Sequence, residues 1–137
     1  MTVSFWLAFA AYVVPTFPLG YFWHLKTFAG RYKALAIYRD DVIIPMGLAS
    51  MIIQGLFFAW VYPKLFSTAD DHWILSALQF AVIFGVLAWS FLVLPVAAKN
   101  RMTSVPQFLA LETAFTAIQF VVAGVLIALA YRGTVPV

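Results

Sequence analysis

Four apolar stretches, each about as long as a bilayer is thick, constrain this chain more than any other feature. About 20 helical residues cross about 30 Å of hydrocarbon, and residues 3–25, 42–62, 73–98 and 105–131 all meet that length. Polar segments 26–41, 63–72 and 99–104 separate them. A segment in lipid must satisfy its own backbone, so each stretch reads as a helix. Connections this short make consecutive helices antiparallel neighbours. The expectation is an all-α, polytopic integral membrane four-helix bundle with up-down topology, a single transmembrane domain over residues 1–137.

Charge agrees with this reading. Only 9% of residues are charged, against about 25% in an average soluble domain. That argues against a soluble enzyme, a disordered chain and a nucleic-acid binder. The absence of cysteine removes disulfides, thiolate catalysis and thiolate metal sites. Residues 1–5 carry no basic side chain, so the first stretch is expected to be a retained span and not a cleaved secretory signal.

Orientation follows from the basic residues. Lys26, Arg31, Lys33 and Arg39 lie in the first connection and Lys99 and Arg101 in the third, against Lys64 and Arg132 on the other side. This bias places the first and third connections in the cytoplasm. Both termini are then outside, and the setting is expected to be a bacterial cytoplasmic membrane. Trp6, Trp60 and Trp73 fall at the outer interface, and Trp23 and Trp89 at the inner one.

Local signals mark the helix ends. Asp40 or Asp41 is placed to cap the second span, with Pro45 in its first turn, and Ser104 to cap the fourth ahead of Pro106. Thr68 to Asp71 has capping-box spacing before the third. Pro15 and Pro18 are expected to kink or unwind the first span. In the connection 26–41, Phe28, Tyr32, Leu35 and Tyr38 recur at helical spacing. They suggest an interfacial helix lying on the bilayer, with Arg31, Lys33 and Arg39 contacting lipid headgroups.

Small residues recur every four positions: Gly55 and Ala59, then Ala77, Ala81 and Gly85, then Gly124 and Ala128. Such faces let helix backbones approach in lipid. They suffice for a monomeric bundle, and an oligomer seam is the alternative use.

Glu112 is the one ionisable residue clearly inside a span, and such residues are expensive and functionally suspect. It lies about 10 Å into the fourth helix at 1.5 Å per residue. Thr116 and Gln119 follow on the same face, and Ser50 and Gln54 form a matching stripe on the second helix. With Ser90 and Gln79 pointing inward too, these groups would make a polar column. Glu112 either pairs with Arg101, Lys99 or a base of the first connection, or carries a proton.

His24 and His72 belong to opposite membrane faces, which argues against one haem or metal held by both. A mixed metal site of His72, Asp70 and Asp71 reads instead as a capped helix start. The aromatic run Tyr21, Phe22, Trp23 and His24 reads as interfacial belt, with a ligand pocket as the alternative. No catalytic, metal or dinucleotide motif occurs, and no cofactor is expected. The format is that of several small membrane families, but their motifs are missing: small multidrug-resistance transporters keep a glutamate in the first helix, and this first helix has none.

Two functions follow. The first is a structural or accessory subunit of a larger membrane assembly, whose partners are membrane lipids and other membrane subunits or further copies of the chain. The second is an oligomeric proton-linked small-molecule transporter or channel, using Glu112 with Ser50, Gln54, Thr116 and Gln119.

Overall fold

A computed structural model of the protein describes residues 1–134. Among these the chain is all-helical, with four helices long and apolar enough to cross a membrane. Helix α1 (Val3–Phe22) runs into a π turn at Trp23–Thr27, and a short α2 (Ala29–Leu35) follows. Helix α3 covers Ile44–Leu65. The third span is α4 (Trp73–Ala88), a π turn at Trp89–Val93 and α5 (Leu94–Lys99). The fourth is α6 (Val105–Tyr131), with the bounds expected from its apolar run.

The bundle is a ring with one loose seam. Helix α6 packs along both α1 and α4, and α1 packs along α3. The backbones of α3 and α4 barely approach, although they are consecutive spans. Aromatic side chains bridge that gap at one end only, where Phe58, Tyr62 and Phe66 meet Phe80 and Phe84. The short second connection thus makes the two helices antiparallel without making them pack closely.

Close approach elsewhere rests on small residues. A Cβ on Gly124 would fall 2.6 Å from the Ala77 carbonyl oxygen, and one on Gly55 2.8 Å from a Val13 methyl. Ala59, Ala77 and Ala128 are buried in the same contacts. The small-residue faces are therefore largely used within the chain.

Helix ends correct several expectations. Ser104 caps α6, its hydroxyl accepting from the Gln107 amide at 3.3 Å. Helix α3 begins after Ile43 with no side-chain cap, because Asp41 is drawn into a two-pronged ion pair with Arg39 at 2.8 and 2.9 Å. No capping box forms before α4. Asp70 instead pairs with Arg132 at 2.6 Å, and the Thr68 hydroxyl donates to the Thr134 carbonyl at 2.7 Å. These bonds fasten the C-terminal end of α6 to the second connection. Asp70 is thereby held below the usual carboxylate range by its hydrogen bond with Arg132.

The first span is helical through both Pro15 and Pro18, contrary to the expected unwinding. Unwinding would expose backbone groups to hydrocarbon, and nearby hydroxyls can serve carbonyls loosened by proline. The carbonyls that lose a donor to these prolines are those of Ala11 and Val14, and Thr16 adds a side-chain bond in the same turn, to the Tyr12 carbonyl at 2.6 Å. The irregularity falls one turn later, in the π turn.

Helix α2 does form in the first connection, with its apolar side turned to the bundle. Tyr32 and Leu35 are 0% exposed, packed with Val93, Phe108 and Leu111. Tyr32 and Leu35 of the apolar stripe thus face protein, while Tyr38 stays partly exposed. Thr103 of the third connection completes the docking: its amide donates to the Leu35 carbonyl at 3.2 Å and its hydroxyl to that of Ala34 at 2.7 Å. Arg31, Lys33 and Arg39 remain on the exposed side.

Substitution of Gly124 by alanine forces a Cβ against backbone that cannot rotate away. Overpacking of this kind costs about 1–3 kcal/mol. Thermal unfolding in detergent should show that loss for Gly124→Ala. Gly85→Ala, whose nearest contact is an ordinary 3.5 Å to Phe120, should leave the transition in place.

Candidate functional site

Docking of α2 buries a polar cluster between the end of the bundle and its aromatic core. Glu112 projects from α6 toward α1, and its side chain is 16% exposed. One oxygen, Oε1, accepts from the Tyr32 hydroxyl at 2.6 Å and lies 3.2 Å from His24 Nε2. The Trp23 indole donates to the Tyr32 hydroxyl at 3.2 Å. Tyr38 stacks on Tyr32 with ring centres 5.1 Å apart. The chain reaches that stack through Ala36, which takes a left-handed conformation at φ 57°. This is an uncommon state for alanine.

The partners of Glu112 are not those expected. Arg101, Lys99 and the bases of the first connection are all exposed, and His24 and Tyr32 take the carboxyl group instead. Two features hidden from sequence cause this. The π turn Trp23–Thr27 reorients the end of the first span and brings His24 over α6, and α2 folds inward. The second π turn, Trp89–Val93, lies at the same level. Leu92 and Val93 share cavity walls with Glu112. Single π turns inside α-helices recur at functional sites.

Hydrogen-bond inventory limits the protonation of the pair. His24 Nδ1 faces the Gly20 carbonyl at 2.8 Å, and a carbonyl only accepts, so Nδ1 carries a proton. Nε2 and Glu112 Oε1 can then hold one proton between them. The pair is either imidazolium with carboxylate or imidazole with carboxylic acid. Without that proton, two acceptors would face each other at 3.2 Å, so the contact must open.

Ser50, Gln54 and Gln119 assemble deeper in the bundle, through a residue the sequence did not single out. The Tyr12 hydroxyl donates to Gln54 Oε1 at 2.5 Å and accepts from Gln119 Nε2 at 3.0 Å. Gln54 Nε2 donates to Ser50 Oγ at 2.9 Å. Among the described residues no hydrogen bond joins this cluster to Glu112. Thr116 is buried between the two levels of α6. The expected continuous column is thus two separate clusters. Gln79 is on the exposed face of α4, and Ser90 donates back to the Leu87 carbonyl at 3.1 Å.

Three cavities meet around the site. One of about 510 Å³ lies in the seam between α3 and α4 and is lined by Gln54, Glu112, Thr116 and Gln119 together with phenylalanines. A second, of about 500 Å³, is bounded by Tyr21, His24, Tyr38 and Arg39, so part of the aromatic run borders a pocket. A third, of about 350 Å³, touches Tyr38 and Glu112. Trp23 is half-buried against Phe28 and Phe115 and is no free belt residue. His72, at the far end, contacts Asp71 at 2.8 Å. Among the described residues no three His, Asp or Glu side chains gather as a metal site.

Tyr32 and Tyr38 lie in the connection outside the spans. Burial, reinforced by the Glu112 charge, raises both phenols above the ordinary tyrosine range. A raised value means both stay protonated where free tyrosine ionises, and fold stability declines as pH climbs beyond about 10. Ultraviolet titration should therefore show no loss of tyrosinate signal near pH 10 in Tyr32→Phe relative to wild type. A lost step at that pH would show that Tyr32 is solvated.

Comparison of the chain with protein-family models, with curated proteins and with solved structures finds no match.

Proposed function

We propose that this chain is a proton-linked carrier of small molecules, with the transported proton held between Glu112 and His24. One observation carries the reading. An intramembrane carboxyl group, normally costly, is here built into a site for one shareable proton and borders a cavity of about 510 Å³. Loss of the proton turns the 3.2 Å contact from attraction to repulsion. Proton release is therefore tied to movement of the first span against α6. Tyr32 keeps the carboxyl group hydrogen-bonded in both states. Gln54, Thr116 and Gln119 line the same cavity and form the wall along which a substrate lies, and Ser50 holds Gln54 in place.

An accessory role in a larger assembly has less behind it. The small-residue faces that would serve as a seam with other membrane subunits or further copies are largely buried within the chain. The exposed apolar surface is what lipid covers in any polytopic protein. In our reading the membrane is a bacterial cytoplasmic one, with the basic connections inside and both termini outside. The first and third connections are joined through Thr103 at one end, which puts six of the eight basic residues on one side.

Two measurements test this. In proteoliposomes, a substrate gradient should drive proton movement in wild type, and Glu112→Gln should fall to the level of empty vesicles. Equal flux in both would end the proposal. Because the chain has no cysteine, single cysteines at Lys33 and Asp71 report sidedness. In intact cells an impermeant thiol reagent should label Asp71→Cys and spare Lys33→Cys. The opposite pattern would invert the orientation.

A further inference from the structure

The proton site leaves a chemical signature on the wall of the cavity between α3 and α4. Glu112 Oε1 is occupied by Tyr32 and His24. Among the described residues, nothing donates to Glu112 Oε2 or to Gln119 Oε1. Gln54 is committed at both ends, to Tyr12 and to Ser50. Glu112 Oε2 and Gln119 Oε1 are thus open acceptors on this wall, beside the second N–H of each glutamine and the Thr116 hydroxyl, and Glu112 is the only side chain among the lining residues that can carry a charge. No lysine, arginine or histidine lines the cavity, and six phenylalanines do, among them Phe57, Phe84 and Phe91. Aromatic faces attract cations. Arg39, which borders the neighbouring pocket, is already paired with Asp41.

We infer that the substrate is an organic ammonium ion with an apolar body, which exchanges for the proton of the His24–Glu112 pair. This rests on the carrier reading and names its substrate class. With its proton the pair has no net charge, whether as imidazolium with carboxylate or imidazole with carboxylic acid. Without it, the site carries one negative charge beside a cage of phenylalanines. An ammonium ion restores neutrality, donates N–H bonds to Glu112 Oε2 and Gln119 Oε1, and lays its apolar body against the rings. One cation enters as one proton leaves. The groups facing Glu112 that respond to pH are His24 from the first span and Tyr32 and Tyr38 from the first connection. No titratable side chain of α3, α4 or α5 shares these cavity walls with it. Entry is lateral, because Phe57, Leu87 and Phe91 at the seam are exposed to the lipid side.

The test uses the full chain in lipid nanodiscs, weakly buffered, with a pH indicator and tryptophan fluorescence. The probes are 2-phenylethylammonium, its alcohol counterpart 2-phenylethanol, and the anion 3-phenylpropionate. The ammonium ion should bind and release close to one proton per chain, while the alcohol and the anion release none. Glu112→Gln should abolish proton release. Phe91→Ala removes a side chain that is 72% exposed, and it should weaken ammonium binding about two- to fivefold with an unchanged unfolding transition. Glu112-dependent release by the alcohol or the anion would overturn the ammonium class and leave the carrier standing. Ammonium binding without proton release, in a chain whose Glu112-dependent flux in vesicles is intact, would overturn the exchange. Loss of both flux and binding would overturn the carrier reading itself.

Discussion

The contact on which this structure turns is that of the Glu112 carboxyl group with His24 and Tyr32. A carboxyl group among lipid-facing helices must find hydrogen-bond donors or share a proton, and water is scarce there. Local irregularities at the end of the first span and in the first connection serve that need. The π turn at the end of the first span brings His24 over α6. The inward docking of α2 supplies Tyr32, and the left-handed Ala36 carries the chain on to the Tyr38 stack. Thr103, bonded to the end of α2, holds the arrangement in place.

The rest of the bundle is divided by this site. On one side lies an aromatic core of Tyr12, Phe58, Tyr62, Phe80 and Phe120 with their neighbours. It is sealed where Asp70, Arg132, Thr68 and Thr134 tie the last helix to the second connection. On the other lies the small cluster that receives α2. The helices pack tightly wherever Gly55 and Gly124 allow it and loosely between α3 and α4. In our reading the opening falls where His24, at the end of the first span, meets α6, away from the Gly124–Ala77 contact.

What the sequence made legible follows from which forces are local. Apolar run length placed the four spans, because bilayer thickness sets helix length whatever the neighbours do. Ser104 was readable as a cap because its partner, Gln107, is three residues away. Glu112 stood out as the single charge in a span. Asp41 and Asp70 misled because each has a stronger ionic partner in Arg39 or Arg132, and capping lost to it. His24 and Tyr32 are legible only as interfacial residues, and Tyr12 not at all. His24 lies 88 residues from Glu112, and a π turn changes the side-chain direction without any mark in composition. Tyr12 meets Gln119 across 107 residues, and in so aromatic a chain one more tyrosine draws no notice.

The central claim is that His24 and Glu112 hold one proton jointly, and nitrogen-15 NMR of the histidine ring tests it most directly. With His72 replaced by glutamine, the remaining histidine signal belongs to His24. Nδ1 should stay protonated at every pH. Nε2 and the Glu112 carboxyl group, followed by carbon-13, should lose their shared proton in one step as the contact opens. Independent steps at two well-separated pH values, or a ring with Nδ1 bare, would contradict it.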